Sequence, residues 1–168
     1  MKKFLWFITA LFSVFSIISC ASSSQNGMNE KAMFVLIYDG SNTGLGNVRV
    51  YAQENGKNTK DYLGSSDMNG RFYMALKENC NYTLTLEKDG YETSSKEFEF
   101  RGMTGLYFRM LTVDDLLTEA ENALDLHNYS KALSYSKRAL KLDGTRKDSV
   151  LLNKIILKHI ENNGGKNE

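Results

Sequence analysis

The chain of 168 residues lacks an excess of charge of either sign, because 21 basic and 20 acidic side chains leave a formal net charge of +1. A nucleic-acid-binding domain needs a clear positive excess to displace counterions from phosphates, so we expect no nucleic acid among its partners. Hydrophobic residues make up 42% of the chain and aromatic residues 11%, which is enough to build a core. We therefore expect a folded protein and not a disordered one.

Cysteine and histidine are scarce. There are two cysteines, Cys20 and Cys80. Cys20 lies in the N-terminal segment discussed below, so one thiol remains for the folded part and no intramolecular disulfide is expected. Cys80 comes just before a predicted strand, and we expect it to be buried under a loop. The two histidines, His127 and His159, lack HxxxH spacing and a cysteine partner, and we expect no zinc site.

The usual motifs of catalytic sites are missing as well. Gly40, Gly44 and Gly46 lead into VRVYAQ, which reads as a strand, whereas a phosphate-binding loop leads into a helix. Asp114 and Asp115 are adjacent carboxylates at a helix start, where they complement the helix dipole. The sequence contains no GxSxG nucleophile motif. We expect neither catalysis nor a cofactor.

The N-terminus has the pattern of a secretory signal peptide. Lys2 and Lys3 precede an apolar run over residues 4–18. As a helix this run would be about 22 Å long, which is short of the hydrocarbon core of a bilayer at about 30 Å. A permanent membrane-spanning helix is therefore the weaker alternative.

The tetrad IISC at positions 17–20 resembles a bacterial lipobox. The resemblance implies that residues 1–19 are removed and that the thiol of Cys20 carries a diacylglycerol, the only non-protein group expected. Residues 20–30 are polar, and a flexible tether of this length reaches about 17 Å. Ala21, which is not Asp, favours the outer over the inner membrane of a bacterial envelope, facing the periplasm or the cell surface. The alternative is an ordinary signal peptide in which Cys20 is incidental.

Residues 31–111 have a period of two in their apolar pattern, which is typical of short, half-buried strands bounded by turns. No helical segment interrupts them, and we predict a seven-stranded antiparallel β-sandwich. The seven candidate strands are residues 33–38, 48–53, 61–65, 71–76, 82–88, 95–100 and 106–111.

Residues 112–162 change to a period of three and four, which predicts three amphipathic helices. The tail, residues 163–168, is expected to be disordered. The predicted fold class is thus α+β with its parts segregated, a β-sandwich followed by a three-helix C-terminal unit.

Three signals predict where these helices begin and end. Thr112 and Asp115 have the spacing of a capping box at the start of the first helix. Gly144 is expected to end the second helix in a left-handed conformation. Thr145 and Asp148 offer a further cap at the start of the third helix.

The stretch SSDMNGRF, residues 65–72, contains an Asp-x-Asn-Gly core that superficially suggests a calcium loop. A calcium loop needs oxygen ligands at five or more positions, and none follow here. We predict a structural turn in which Asp67 accepts backbone N–H bonds, Asn69 tolerates left-handed geometry and Gly70 supplies positive φ. Its role is to set the register of the next strand, with Phe72 entering the core.

Three motifs of the strand region resemble the carboxypeptidase regulatory-like and PEGA domains. These motifs are LGNVRV (45–50), the SSDMNGRF hairpin (65–72) and YTLTLEKDGYE (82–92). The resemblance covers residues 31–111 and implies a transthyretin-like sandwich of the kind found as an accessory module on extracytoplasmic proteins. Gly44 stands where the family often has proline, in a chain without any proline.

Residues 119–144 resemble one tetratricopeptide repeat. Ala120, Ala132 and Ala139 match the small positions that let paired helices approach closely. About three repeats are needed to bury a continuous core, and here a single repeat is followed by an extra helix. Either the third helix and the sandwich bury the apolar stripes, or one stripe is left as a protein-binding surface. That candidate surface is Leu151, Ile155, Ile156 and Leu157.

Basic residues are concentrated on the second and third helices. They are either solvated faces with local ion pairs or a basic surface for anionic lipid or an acidic partner. The basic residues are Lys131, Lys137, Arg138, Lys141, Arg146, Lys147, Lys154 and Lys158.

Taken together, the sequence predicts a lipoprotein of the cell envelope that is anchored to the membrane at Cys20 and acts as a non-catalytic protein-interaction module. One alternative is a module that binds cell-wall or surface carbohydrate through exposed tyrosines. A second alternative is an accessory subunit of a surface protease complex. The tyrosines considered for carbohydrate are Tyr62, Tyr73, Tyr82 and Tyr91.

Overall fold

The structure, a computed structural model, describes residues 30–102 and 105–164, without the side chains of residues 163 and 164. The predicted signal peptide, Cys20, the tether up to residue 29 and residues 165–168 lie outside the described residues. The described part contains seven strands followed by three helices, which is an α+β arrangement.

The seven strands form two open sheets that pack face to face in a β-sandwich-like arrangement. One sheet has the order β4–β1–β7 and the other has the order β3–β2–β5–β6. The strands are β1 (Glu30–Tyr38), β2 (Arg49–Glu54), β3 (Asp61–Ser65), β4 (Arg71–Lys77), β5 (Cys80–Glu87), β6 (Ser94–Phe100) and β7 (Gly105–Arg109).

The prediction that every strand pair is antiparallel is wrong for β1 and β7. Val35 in β1 lies opposite Phe72 in the antiparallel β4, but it lies opposite Leu106 in the parallel β7. The chain crosses from one sheet to the other between β6 and β7, so no hairpin joins β7 to its neighbour. The direction of β7 is set by the end of the sandwich at which β6 finishes, and local sequence patterns do not contain this information.

Alternate side chains of the strands fill the space between the two sheets. Met33, Val35 and Ile37 point inward from β1, and all three are buried. They belong to one cluster with Leu84 and Phe100 of the opposite sheet. Burying each such side chain contributes about 1.5–3 kcal/mol, so the period-two pattern is what holds the sheets together.

One polar side chain is buried in this part of the molecule, and it is fully paired. The hydroxyl of Ser66 donates to the carbonyl oxygen of Leu45 at 2.8 Å and accepts from the amide of Val48 at 3.0 Å. Ser66 thus fastens the loop before β2 to the end of β3, since a buried hydroxyl without partners would be costly.

The three helices are α1 (Val113–Asp125), α2 (Tyr129–Leu142) and α3 (Lys147–Gly164). The capping box at the start of α1 has both of its bonds. Thr112 Oγ1 accepts from the amide of Asp115 at 3.2 Å, and Asp115 Oδ2 accepts from the amide of Thr112 at 2.9 Å.

The region between α2 and α3 differs from the prediction. Gly144 is not left-handed, because α2 ends in an extended conformation at Asp143 (φ −144°). Asp143 Oδ1 then accepts from both the amide and the hydroxyl of Thr145, at 3.0 and 2.7 Å. Thr145 therefore does not form the predicted cap with Asp148. In addition, α3 continues through residues 163 and 164, which were assigned to the tail.

Small side chains let the helices approach one another closely. Ala120, Ala123 and Ala132 are buried around the side chain of Ile156 from α3, which is 0% exposed. A second cluster places Leu116 of α1 near Ala139 of α2. Within the described residues, α3 thus covers one side of the α1–α2 pair.

Specific polar contacts join the helices to one end of the sandwich. Arg138 on α2 binds both carboxylate oxygens of Glu92, with Nη2–Oε2 at 2.6 Å and Nε–Oε1 at 2.9 Å. The hydrogen bond with Glu92 raises the pKa of Arg138 although burial opposes it. Arg109 at the end of β7 binds Glu119 at 3.1 Å and the carbonyl oxygen of Gly40 at 2.7 Å. These contacts lie at the end of β1 and β7 that is remote from Glu30.

Candidate functional site

In the turn that contains Asp67, Asn69 and Gly70, the carboxylate bonds are local, and the carbonyl oxygen of Gly70 accepts from the amide of Ile37 in β1 at 2.8 Å. Asp67 Oδ1 accepts from the amides of Asn69 at 2.9 Å and Arg71 at 2.8 Å. Gly70 has φ +74°, and a Cβ at this position would lie 2.1 Å from the carbonyl oxygen of Ile37. The left-handed residue of this turn is therefore Gly70 and not Asn69. The carboxylate is used to hold backbone amides, and the turn brings β4 against β1.

The four tyrosines considered for carbohydrate binding do not share a face. Tyr82 is 5% exposed, and its hydroxyl accepts from the amide of Lys77 at 3.2 Å. Tyr91 is half-buried against the sandwich core, and burial raises the pKa of both Tyr82 and Tyr91. Tyr62 and Tyr73 are exposed, but they lie on different sheets. The proposed four-tyrosine surface is therefore wrong.

The outer side of the β4–β1–β7 sheet carries an aromatic face, which we define as Phe34, Leu36, Tyr73 and Tyr107. The register places Phe34 opposite Tyr73 and Leu36 opposite Tyr107. Tyr73 is 68% exposed and Tyr107 is 63% exposed, while Phe34 and Leu36 are half-buried between them. Among the described residues, no helix or loop covers these two tyrosines.

Two rings of the aromatic face, those of Phe34 and Tyr73, are in contact. The centroids of Phe34 and Tyr73 are 5.2 Å apart, with the ring planes inclined by 44°. On the other side, a Cβ built on Gly105 would lie 3.8 Å from the Tyr107 ring and 4.0 Å from Phe34. Phe34 and Tyr73 are therefore in contact, and Phe34 and Tyr107 both border the space above Gly105, so the aromatic face extends over all three strands.

The outer side of the other sheet has a different character. Its central strands present mainly hydroxyl and carboxylate groups, such as Thr83, Thr85 and Glu87 on β5. Its one aromatic pair, Tyr51 and Tyr62, has ring centroids 5.4 Å apart. The ammonium group of Lys60 lies over the Tyr51 ring at 4.2 Å and bonds Glu87 at 2.6 Å. The two outer faces thus differ in polarity.

The sequence indicated this aromatic face only in part. In β1, the run MFVLIY is apolar at every position, and alternate residues of a strand point to opposite sides of the sheet. Only one side can face the sandwich interior, so the other side must present apolar groups outward. Tyr73 and Tyr107 occupy alternate positions of β4 and β7 that point outward. Predicting the face also requires the β1–β7 pairing, and sequence patterns missed that pairing.

The candidate surface on α3 is divided by the structure. Ile156 is buried, so its assignment to an interaction surface is wrong. Leu151 (59% exposed) and Ile155 (40%) lie one turn apart on the same side of the helix. Leu157 is also 40% exposed, but at about 100° per residue it points to the opposite side of α3 from Ile155. The remaining apolar row is therefore Leu151 and Ile155.

Lysines flank this apolar row. Lys154 and Lys158 are both exposed and follow Leu151 and Ile155 by three residues each, so they lie beside the row on the helix surface. No ion pair to either lysine is formed among the residues that the structure describes. The row is thus apolar with a positively charged border.

The cysteine and histidine side chains are not arranged around a common site. Cys80 is the first residue of β5 and is half-buried against the core, rather than lying under a loop. His127 is left-handed (φ +57°) between α1 and α2. His159 stacks on Tyr129 with the ring centroids 5.9 Å apart. Within residues 30–102 and 105–164, no group of three or more potential ligands is placed to hold a metal ion.

A depression of about 210 Å³ lies where α2 meets the sandwich. Its lining includes the paired Glu92 and Arg138 together with Thr93, Lys141 and Leu142. The two charged groups pair with each other through three N–O contacts. This depression belongs to the joint between sandwich and helices.

Of the helices described, none is both long enough and apolar enough to cross a bilayer.

No model of a protein family matches the sequence, and no curated protein matches it. Among solved structures, the chain is similar to 3-chlorocatechol 1,2-dioxygenase from Rhodococcus opacus 1CP, with 12% identity over 53% of this chain and 62% of that chain and a TM-score of 0.42. A C-terminal fragment of the pilus adhesin SpaC from Lactobacillus rhamnosus GG is 13% identical over 49% of this chain and 45% of that chain, with a TM-score of 0.40. A DUF3823 family protein from Parabacteroides merdae ATCC 43184 is 18% identical over 50% and 47%, with a TM-score of 0.39. The chain covers less than two thirds of each of these structures, and the similarity is too low to indicate a shared function.

Proposed function

We propose that the protein is a lipid-anchored, non-catalytic interaction module of the bacterial cell envelope. Its anchor would be an acylated Cys20, as the lipobox-like IISC implies. Its sandwich would be a transthyretin-like module of the PEGA type, supported by the three motifs in the strand region. Its helices would be a single tetratricopeptide-like repeat with an added helix, supported by Ala120, Ala132 and Ala139 at the contacts between helices.

The exposed row on α3 is the observation that carries the proposal of protein binding. Leu151 and Ile155 are exposed one turn apart, next to Lys154 and Lys158, which form no ion pair with any residue that the structure describes. In a repeat array, a further helix would pack on such a row. The partner we propose is an amphipathic helix of another protein, with apolar side chains toward the row and acidic side chains toward the lysines.

Site-specific photocrosslinking in the envelope of cells that make the protein tests this proposal. A photoreactive phenylalanine analogue at position 155 should give one discrete adduct with a protein, while the same analogue at the exposed Glu121 of α1 should not. The adduct should be lost in the Lys154→Glu, Lys158→Glu double variant. A Lys137→Glu variant on α2 is the matched control and should keep the adduct. Equal adducts at both positions, or no effect of the charge reversal, would contradict the proposed surface.

The anchor is tested separately. Mass spectrometry of the N-terminal peptide should show an acylated Cys20 as the first residue of the mature chain. A Cys20→Ala variant should lose this modification and should not be processed at position 20. An unmodified Cys20 in the wild-type protein would refute the anchor and leave the α3 surface to be judged by its own experiment.

A carbohydrate-binding role has less support. Tyr62 and Tyr73 lie on different sheets, and the Phe34 and Tyr73 rings are inclined by 44° and do not form a flat platform for a sugar ring. No described contact favours the role of a protease accessory subunit over that of a module with another protein partner.

A further inference from the structure

The aromatic face of the β4–β1–β7 sheet has no role in the interaction proposed for α3. Its two tyrosines are each more than three-fifths exposed, whereas the equivalent side of the other sheet is polar. The four side chains lie side by side on neighbouring strands and form one patch instead of isolated exposed residues. Both the size of the face and the position of β1 in the chain indicate what the face contacts.

The face is too small for a stable dimer. Because strands lie about 4.8 Å apart and residues on one side of a strand lie about 6.6 Å apart, four side chains on three neighbouring strands cover on the order of 130 Å². Stable protein interfaces bury about 800 Å² on each partner. A second copy of the chain would therefore need contacts beyond this face, where the neighbouring outward residues include the small Ala32 and Ala75 and the charged Arg71 and Arg109.

The face is also the part of the fold that the tether reaches first. β1 is the central strand of this sheet, and it begins at Glu30. The ten residues 21–30 span at most about 35 Å when fully extended and about 17 Å on average. An anchor at Cys20 would thus keep the start of β1 within about 35 Å of the bilayer surface.

A tethered surface needs little affinity of its own. Once the lipid anchor is inserted, the contact between the face and the membrane is intramolecular, so the effective concentration of the face at the membrane is high. A small apolar area is then enough to fix the orientation of the domain. The composition of the face suits the bilayer interface, where the amphipathic rings of tyrosines are enriched. Arg71, which lies opposite Leu36 at the rim, is exposed and forms no ion pair within the described residues, so its charge is available to lipid phosphates.

We infer that the aromatic face lies against the headgroup region of the membrane that carries the Cys20 anchor, with β1 parallel to the bilayer. The inference rests on the anchor in the proposed function. It also has a structural consequence for that function. The helices join the sandwich at the far end of β1, roughly 27 Å from Glu30, so this orientation keeps them close to the membrane surface.

Labelling with photoreactive lipid tests the inference. The mature acylated chain, purified from membranes, is incorporated into vesicles of three parts phosphatidylethanolamine to one part phosphatidylglycerol that contain a diazirine phospholipid. After illumination, peptide mapping should locate lipid adducts on the strands that carry Tyr73 and Tyr107. The strand that carries Tyr62, an equally exposed tyrosine on the opposite sheet, serves as the internal control and should carry about tenfold less label.

Variants sharpen this test. Tyr73→Ser with Tyr107→Ser should reduce labelling of β4 and β7 by about tenfold, because the outward side chains no longer favour the interface. Tyr62→Ser is the matched control and should leave the map unchanged. The map of the unsubstituted chain remains decisive if the double variant does not fold.

The outcomes separate the two proposals. Equal labelling of both sheets on a chain with an acylated Cys20 would overturn the orientation and leave the anchor intact. Protection of Tyr73 and Tyr107 from lipid, together with chain-to-chain crosslinks, would overturn it in favour of a second copy. Absence of acylation would refute the anchor and the orientation together.

Discussion

The buried position of Ile156 leads to a stability prediction with a neighbouring residue as its control. Ile156 and Ile155 are the same residue type in the same helix, but Ile156 is 0% exposed and Ile155 is 40% exposed. Replacing either residue by alanine changes helix propensity by the same small amount, which cancels when the two variants are compared. The difference between the variants therefore reports on packing alone.

The expected difference follows from the surroundings of the two side chains. Ile156→Ala removes methyl and methylene groups worth about 0.8 kcal/mol each and leaves a cavity between Ala120, Ala123 and Ala132. Since these small neighbours cannot expand to fill the space, we expect a loss of about 3–4 kcal/mol in the free energy of unfolding. Ile155→Ala removes a partly exposed side chain and leaves no closed cavity, so we expect a loss of about 1 kcal/mol or less.

Urea unfolding followed by far-ultraviolet circular dichroism measures both losses, because that signal is dominated by the helices. We expect each variant to shift the urea midpoint while the dependence of the unfolding free energy on urea concentration (the m-value) stays constant. Losses that agree within about 0.5 kcal/mol, or a larger loss for Ile155→Ala, would show that α3 packs with a different face toward α1 and α2. In that case Ile156 would return to the exposed surface.

Three further predictions concern the sandwich and α2. Gly70→Ala should destabilise the protein by at least about 2 kcal/mol more than Gly56→Ala in the same urea assay. Both glycines have positive φ, but only at Gly70 would a Cβ collide with the carbonyl oxygen of Ile37. Equal effects of the two substitutions would mean that the turn does not approach β1 closely. The pKa of Asp39 is lowered in the folded protein, so the charged carboxylate stabilises the fold above its ordinary pKa of about 3.9, and this stabilisation is lost as the pH falls through the lower pKa of the folded state. An Asp39→Asn variant should therefore lose less stability over this acidic range than the unsubstituted protein. Parallel pH profiles of stability for the two proteins would contradict this prediction. The buried hydroxyl of Ser136 has no hydrogen-bond partner among the described residues, so Ser136→Ala should leave the urea midpoint unchanged or raise it. If the substitution instead lowered the free energy of unfolding by more than about 1 kcal/mol, the hydroxyl would have to be hydrogen-bonded.

The low pKa of Asp39 has a local structural cause. Burial raises the pKa of this carboxyl, but the hydroxyl and amide of Ser41 and the amide of Thr43 all donate to Oδ1, at 2.7, 2.9 and 2.9 Å, and together they outweigh the burial. Folding therefore favours the charged form.

Features that depend on neighbouring residues could be predicted from the sequence. The seven strands follow from the period of two, and the capping box follows from the spacing of Thr112 and Asp115. The Asp67–Gly70 turn is likewise held by bonds within a few residues. In each case the physical interaction that forms the element lies inside the stretch of chain that signals it.

Features that depend on distant pairing could not be predicted in this way. The parallel neighbour of β1 is about seventy residues away along the chain, and no turn motif reports on it. The orientation of α3 was ambiguous for another reason. Leu151, Leu152, Ile155, Ile156 and Leu157 surround the helix axis, so the apolar pattern does not select one buried face. The contacts of α1 and α2 decide that Ile156 is the buried residue.

The parallel pairing of β1 and β7 also determines how the molecule carries mechanical load. The proposed tether precedes β1, which begins at Glu30, and the helices follow the end of β7 at Arg109. Because the two strands are parallel, these two attachment points lie at opposite ends of the pair. A pull between the tether and a partner held by α3 would therefore act along both strands in shear, and the hydrogen bonds between Phe34–Tyr38 and Gly105–Arg109 would bear the force together instead of opening one after another. Tension between an anchor and a partner would thus enter and leave the sandwich through one pair of strands loaded in shear.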